Sequence, residues 1–333
     1  MAGKAFARSM ILGTGHYLPA KVVTNFDLEK IMDTSDAWIT GRTGIRQRHV
    51  AAPDEATSDM ATKAALHALE AAGITAQQLD LIIVGTISPD LQLPATAMFV
   101  QRNLRTRPDC PGFDLAAACA GFIYGLSVAD AFIRTGGARY VLVIGVELLS
   151  RLVDWTDRNT CVLFGDGAGA VVVGPCEDPN RGILSTHLFA DGTQIESLCI
   201  PAGGTRTPIT ADLVAQRQHL VHMAGKEVFK YAVKALASSS EIAMKANGMT
   251  PADIDWLIPH QANRRIIDGV LHRSGIPEER CFINIDKTAN TSSASVPIAL
   301  DQAVRQGKVQ SGHNVLFCAL GGGFAWGSAL VRW

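Results

Sequence analysis

The stretch GITAQQLDLIIV, residues 73–84, returns 175 residues further on as GMTPADIDWLIP, residues 248–259. Glycine, threonine, aspartate and one isoleucine recur in register, at 73/248, 75/250, 80/255 and 83/258. The neighbouring apolar positions match in kind. A second echo follows in the same order: DAFIRTGGARYVLVIG (130–145) is similar to DQAVRQGKVQSGHNVLFCA (301–319), and both read as helix, turn and buried strand. Repetition of such units in preserved order points to a duplicated architecture, two similar βα halves packed together. The stretch GPCEDPNRG (174–182), rich in glycine, proline and polar residues, reads as the boundary. The expected halves are therefore 1–178 and 179–333.

Working outward from the echo, strand-like runs lie at 81–86, 140–145, 169–174, 255–260 and 314–320. Helical patterns lie between them at 58–72, 119–135, 223–247 and 292–306. Alternation of this kind predicts an α/β fold with a largely parallel sheet. The chain has 333 residues, 47% of them hydrophobic, enough for a large core. A formal net charge of −1 argues against a nucleic-acid binder, which needs a basic face. No apolar run approaches the ~18 residues of a membrane span. The basic opening MAGKAFARSMILGTG has too short an apolar part for a signal peptide. Seven cysteines, an odd number without a CxxC pair, suit free thiols in a reducing compartment, so a cytoplasmic enzyme is expected.

One of those thiols stands apart. In DLAAACAGFIYGL (114–126), Cys119 is surrounded by alanines and a glycine. A buried cysteine is often only a small hydrophobe. The other reading is a nucleophile at a helix start, where unpaired N–H groups lower the thiol pKa. Aligning Asp130 with Asp301 sets Cys119 opposite Asn290, each at the start of the same helix in its own half. In WLIPHQANRRII (256–267), His260 follows a strand, where open α/β sheets place ligands. It could equally cap the next helix. The glycines 321–323 after a strand allow close backbone approach to a substrate and donation to an oxyanion, beyond what a plain turn needs.

The chain order Cys, His, Asn also occurs in papain-like proteases, but their local cysteine signature is missing and the repeat does not suit them. GDGAGA (165–170) fits a dinucleotide fingerprint only in letters, because it leads into VVVG, a strand, where a fingerprint opens a helix.

Taken together, DLAAACAGF, PHQAN, NTSSASVP and GGGFAWGSALVR resemble the β-ketoacyl-acyl-carrier-protein synthase III family of the thiolase superfamily. DTSDAWITGRTGIRQRH (33–49), LFGDGAGA (163–170) and MAGKEVFKYAV (223–233) do so as well, and the likeness runs from about residue 10 to 333. The resemblance implies an internally duplicated five-layer αβαβα fold and a homodimer. It implies decarboxylative Claisen condensation of an acyl-coenzyme A starter with malonyl-acyl-carrier protein through an acyl-cysteine, initiating fatty acid synthesis. The alternative is a related ketosynthase or acyltransferase of specialised, polyketide-type metabolism joining an unusual acyl thioester. Cys119, His260 and Asn290 would be catalytic, with Cys119 and Gly322 forming the oxyanion hole. Asn290 fits condensation in particular, because an amide N–H donates to an enolate that a carboxylate would repel.

Trp38, Arg42, Thr43, Arg158, Gly225, Phe229, Ala262 and Asn263 match the family's coenzyme A and pantetheine contacts. Lys230, Arg265 and Arg273 match its carrier-protein contacts, and Lys226, Lys230 and Lys234 form a helical stripe. Leu93 stands where a partner subunit closes the acyl pocket. No metal and no resident cofactor is implied, since coenzyme A arrives as part of the substrate. The chain departs from the family at Ala289 (usually Gly), Leu320 (usually Phe), Asn159 (usually Gly), Lys226 (usually Asn) and Leu93 (often Phe).

Overall fold

A computed structural model describes residues 6–333; the first five residues of the basic opening stretch lie outside the described residues. The first sheet holds β1 (Arg8–Tyr17), β2 (Leu81–Gly85), β3 (Gly112–Leu115), β4 (Val141–Glu147) and β5 (Gly167–Cys176) in the order β1-β5-β4-β2-β3. The second holds β6 (Gly182–Ala190), β7 (Trp256–Pro259), β8 (Asn314–Gly321) and β9 (Ala325–Arg332) in the order β7-β8-β9-β6. Beyond β7, Cys281 makes an isolated parallel bridge to Leu257, where β3 lies in the first sheet. The two sheets thus share one order and one set of directions. Residues 177–181 join them.

Both sheets are mixed, which corrects the expectation of a largely parallel one. Pairs β1–β5, β5–β4, β6–β9 and β9–β8 are antiparallel, and only β4–β2, β2–β3 and β8–β7 run parallel. The reason is the connections. No crossover helix separates β4 from β5, and a short turn, Gly322–Phe324, returns β8 into β9. Parallel neighbours need a long crossover; antiparallel ones do not. The run 169–174 does lie in a strand, β5, so GDGAGA opens no helix.

The repeat is visible down to single atoms. Gly73 and Gly248 both end a helix in the left-handed region, at φ 66° and 65°. Thr75 and Thr250 then cap short turns, each paired with the side chain three residues on, Gln78 and Asp253. Asp80 accepts the backbone N–H groups of Arg139 and Tyr140 at 2.8 and 3.1 Å, and Asp255 accepts that of Asn314 at 2.8 Å. In both halves the repeated aspartate therefore pins the chain where the neighbouring strand starts.

Alternating strand residues feed opposite faces. On β4, Val141 and Val143 point into a central core, and Leu142, Ile144 and Val146 into an outer one. On β8, Val315, Phe317 and Ala319 point to the same central core, and Leu316, Cys318 and Leu320 to the other outer one. Besides α1 (Asp36–Thr43), the main helices are α2 (Thr57–Ala72), α3 (Gly121–Arg134), α4 (Gly225–Ala246), α5 (Arg264–Ser274) and α6 (Ser295–Arg305). Helices α3 and α6 fill the central core, α2 covers the first sheet, and α4 and α5 cover the second. The result is five layers, αβαβα. Both central helices are preceded by a single tight turn, Ala118–Ala120 before α3 and Ser292–Ala294 before α6.

The residue before each repeat-equivalent position has a positive φ: Ala118 at 45° and Ala289 at 56°. Ala289 is fully buried, and its ψ of −162° puts it in a region that glycine tolerates and alanine does not. Such a residue carries strain of about 1–3 kcal/mol, whereas glycine adds about 0.5–1 kcal/mol of chain entropy. Ala289→Gly should therefore stabilise the protein by about 1 kcal/mol, a rise in melting temperature of about 2 °C by scanning calorimetry.

Candidate active site

Cys119 sits in the turn that opens α3, buried at 8% exposure. It lies on the wall between two cavities. One, of about 400 Å³, is walled mainly by aliphatic side chains, among them Ile87, Leu149, Leu198, Ile200 and Val221, with Phe164, and includes Gly322. The other, of about 100 Å³, contains His260 and Asn290 together with Gly225, Phe229, Ala262 and Asn263. The three residues singled out in the sequence thus converge on one space, although 171 residues separate the first from the last.

Each partner is fixed by its own element. His260 follows β7, and its N–H donates to the Cys318 carbonyl at 2.7 Å. Its Nδ1 is 2.6 Å from the Ser295 hydroxyl, and that oxygen accepts the Gln261 N–H at 3.3 Å. With the serine as donor to Nδ1, the ring's own hydrogen is on Nε2. Burial pushes the His260 pKa down to about 3, so the ring is neutral. Asn290 is tied to the loop before β5: its N–H donates to Leu163 O at 2.9 Å, and its carbonyl accepts from Gly165 N at 3.0 Å. Its Oδ1 accepts the Ser292 N–H at 2.8 Å, which orients Nδ2 as the free end of the amide. Two neutral N–H donors are therefore presented by residues lining one small cavity beside a thiol.

Ser295 earned no notice in the sequence, yet its hydroxyl is the polar partner of the histidine ring. Ser295→Ala should leave attachment of an acyl group to Cys119 unchanged. The later step that uses the His260 donor should slow about tenfold, the worth of one hydrogen bond near 1.4 kcal/mol. Quenched-flow measurement of the two steps separately would check this.

The backbone of Gly321 runs against the nucleophile's turn. A Cβ at that position would lie 2.3 Å from the Cys119 nitrogen, so only glycine fits. Gly322 follows, facing the larger cavity. The thiol's environment differs from the expected one: burial, reinforced by the negative charge of Glu147, pushes the Cys119 pKa up to about 12. Desolvation of a thiolate outweighs the helix start.

The guanidinium groups of Arg42 and Arg158 stack on the Trp38 indole, at 4.6 and 4.9 Å from its centroid. Arg158 also donates to the Asp33 carbonyl at 2.6 Å. Helix α1, which carries Trp38 and Arg42, packs against α5. Thr43 is placed differently: it is buried, and its hydroxyl donates to Ile39 O and accepts from Ile45 N, so it closes α1 and lines neither cavity. Asn263 caps α5 by accepting the Arg265 N–H at 2.9 Å. Lys226, Lys230, Lys234, Arg265 and Arg273 are exposed, and Arg265 lies over the Phe229 ring at 5.9 Å. Leu93 is 85% exposed and lines neither cavity of the single chain. Leu320 lines the smaller cavity. Among the described residues, no group of three or more His, Cys, Asp and Glu side chains is placed to hold a metal ion. No helix among them is long and apolar enough to cross a membrane, and all seven cysteines are unpaired.

The sequence patterns described as 3-oxoacyl-[acyl-carrier-protein] synthase III and its C-terminal part match residues 113–192 and 244–333. A β-ketoacyl-[acyl-carrier-protein] synthase III of Xanthomonas campestris pv. campestris is 55% identical over 325 residues, 98% of each chain. The crystal structure of 3-oxoacyl-[acyl-carrier-protein] synthase III from Aquifex aeolicus VF5 superposes with a TM-score of 0.90 at 47% identity, covering 98% of this chain and 100% of that one. The priming β-ketosynthase of the R1128 polyketide pathway superposes with a TM-score of 0.91 at 36% identity, covering 99% and 97%.

Proposed function

Because the chain belongs to the 3-oxoacyl-[acyl-carrier-protein] synthase III family, we propose that it joins an acyl group from coenzyme A to malonyl-acyl-carrier protein, with loss of CO₂, to start fatty acid synthesis. It is a condensing acyltransferase of the thiolase fold. The observation that carries the reading is Cys119 between an aliphatic cavity and a cavity lined by the neutral His260 ring and the Asn290 amide.

Cys119 attacks the acyl thioester and coenzyme A leaves as its thiol. The acyl chain occupies the 400 Å³ cavity. The N–H groups of Cys119 and Gly322 bind the oxyanion of this step, a pairing supported by the close run of Gly321 against Cys119. Malonyl-acyl-carrier protein then delivers its thioester to the smaller cavity. His260 Nε2–H and Asn290 Nδ2–H hold the thioester carbonyl, CO₂ departs, and the electron pair moves onto that oxygen as an enolate. The enolate carbon attacks the acyl-cysteine, and Cys119 is released. Neutral donors suit this chemistry because they stabilise the developing charge without a proton transfer.

The stacked Trp38, Arg42 and Arg158 supply a flat cationic surface for the adenine and phosphates of coenzyme A. Gly225, Phe229, Ala262 and Asn263 surround the pantetheine arm, while the buried Thr43 supports α1 from within. Exposed Lys230, Arg265 and Arg273 suit the acidic carrier protein. The exposed Leu91 and Leu93 support a homodimer in which Leu93 closes the partner's acyl cavity. A cytoplasmic setting is consistent with seven unpaired thiols. The specialised-metabolism alternative is not favoured, since identity to the priming ketosynthase is 36% against 55% for the Xanthomonas synthase.

The reading is tested by mixing the protein with a panel of acyl-coenzyme A thioesters and recording intact mass, then adding malonyl-acyl-carrier protein. A gain of one acyl group, lost on condensation with release of CO₂, supports it. Acylation without CO₂ release would make the protein a simple acyltransferase.

A further inference from the structure

A buried carboxyl stands next to the nucleophile with no role in the steps above. Glu147 ends β4 and is fully buried. Among the described residues no lysine, arginine or histidine forms an ion pair with it. One carboxylate oxygen accepts from the Ser88 hydroxyl at 2.7 Å and from Ile87 N–H at 3.1 Å. The other accepts from the Ser292 hydroxyl at 3.1 Å. Ser292 in turn stands beside Cys119 on the wall of the larger cavity, close enough for its hydroxyl to act on the thiol. The groups facing Glu147 are Thr86, Ile87 and Ser88 after β2, Ser292 and Ser293 before α6, and Cys119 before α3. Cys119 is the titratable one among them.

The thiol needs a proton acceptor, because burial keeps it protonated. His260 is poorly suited. Its Nδ1 already has the Ser295 hydroxyl as partner at 2.6 Å, and burial disfavours a second proton on the ring. Ser292, beside Cys119 on the cavity wall and hydrogen-bonded to Glu147, offers a path instead.

Taking Cys119 as the nucleophile of the reaction proposed above, we propose that Glu147 accepts its proton through Ser292. The S–H bond breaks as its hydrogen passes to Ser292 Oγ, and the electron pair stays on sulfur. The hydrogen that Ser292 held passes to the Glu147 carboxylate, which becomes a neutral carboxyl. Charge is conserved, and the thiolate no longer faces a negative neighbour. The same path runs backwards when condensation releases the cysteine. Burial raises the Glu147 pKa to about 7, where an acceptor both holds and returns a proton near neutrality. Glu147 is thus a positioning residue, acting on the thiol through another side chain.

The test needs no substrate: the alkylation rate of Cys119 by iodoacetamide is followed against pH, with the site identified by peptide mass. In the wild type, the rate should rise through about pH 7 and then level off. Glu147→Gln and Ser292→Ala should both lose that limb, react at least tenfold slower at pH 7.5, and climb tenfold per pH unit beyond pH 9. If Glu147 acts only as a fixed negative charge, Glu147→Gln reacts faster than wild type, and the proposal is overturned. A wild-type profile without the neutral limb overturns it as well. Should Glu147→Gln not fold, Ser292→Ala decides alone: slowed alkylation supports the path, unchanged alkylation rejects it. Failure of every acyl-coenzyme A to acylate the wild type would instead count against the proposed function and leave the alkylation result standing.

Discussion

Cys119→Ser protein mixed with acyl-coenzyme A gains no stable acyl mass, and its condensation rate falls by about 10⁴-fold or more. A serine at this position keeps the shape of the turn and loses the chemistry. A hydroxyl requires a stronger base than a thiol does, and the neighbouring imidazole cannot serve, with Nδ1 engaged by Ser295. The residue is also 8% exposed, so solvent offers little help. Intact mass spectrometry after reaction with the preferred starter checks the first half of the prediction, and CO₂ release checks the second. An acyl adduct on the Cys119→Ser protein at the wild-type rate would move the nucleophile elsewhere.

The second large effect separates the two halves of the reaction. Asn290→Ala should still acquire the acyl group on Cys119 at close to the normal rate, while decarboxylation slows by about 10²–10³-fold, the usual cost of one lost donor to a developing oxyanion. Asn290→Asp should fall at least as far, because the carboxylate keeps the acceptor for Ser292 N–H and puts a second, charged acceptor where Nδ2 donated, repelling the enolate. His260→Ala should resemble Asn290→Ala, and the double substitution should cost less than the product of the two, since the donors act on one oxygen. Single-turnover acylation followed by a malonyl thioester chase distinguishes these outcomes. Loss of acylation in Asn290→Ala would place that residue in the first step instead.

Much of this was legible in the sequence for a physical reason. A repeat in preserved order fixes a shared architecture, and Gly73/Gly248 and Asp80/Asp255 repeat because the same turn and the same strand start are built twice. The helices over 58–72 and 223–247 stood out by period, and β2, β4 and β8 by continuous apolar runs. Strands β1, β3, β6 and β9 did not. Their residues mix glycine, polar and apolar types, and in GGGFAWGSALVRW the glycines read as a site for close backbone approach, while β9, which begins at Ala325, did not read as a strand. The mixed direction of the sheets was hidden too, because it depends on what connects the strands.

At the site, Cys119, His260 and Asn290 were found because each interrupts a pattern: a thiol among alanines, a polar run after a strand, an amide at the repeat-equivalent position. Ser292 and Ser295 were lost among the serines of NTSSASVP, since their partners come from other elements. Glu147 did leave a signal, one charge at the end of the apolar run YVLVIGVE (140–147), an arrangement that a buried strand tolerates only for a reason. The rise in the Cys119 pKa could not be read from the helix start alone, because it depends on how deeply the turn is buried.

The placement of one sulfur between two cavities also dictates the order of events. The acyl group stays in the larger room while the small one empties, so the first thiol product must leave before the second thioester arrives. The proposed reaction is therefore ping-pong, with the acyl-enzyme as the form that waits between the two visits. If both thioesters enter through the smaller cavity, as proposed above, each, in excess, occupies the form of the enzyme meant for the other. The supply of coenzyme A thioesters and of malonyl carrier then sets the flux by their ratio as much as by their amounts.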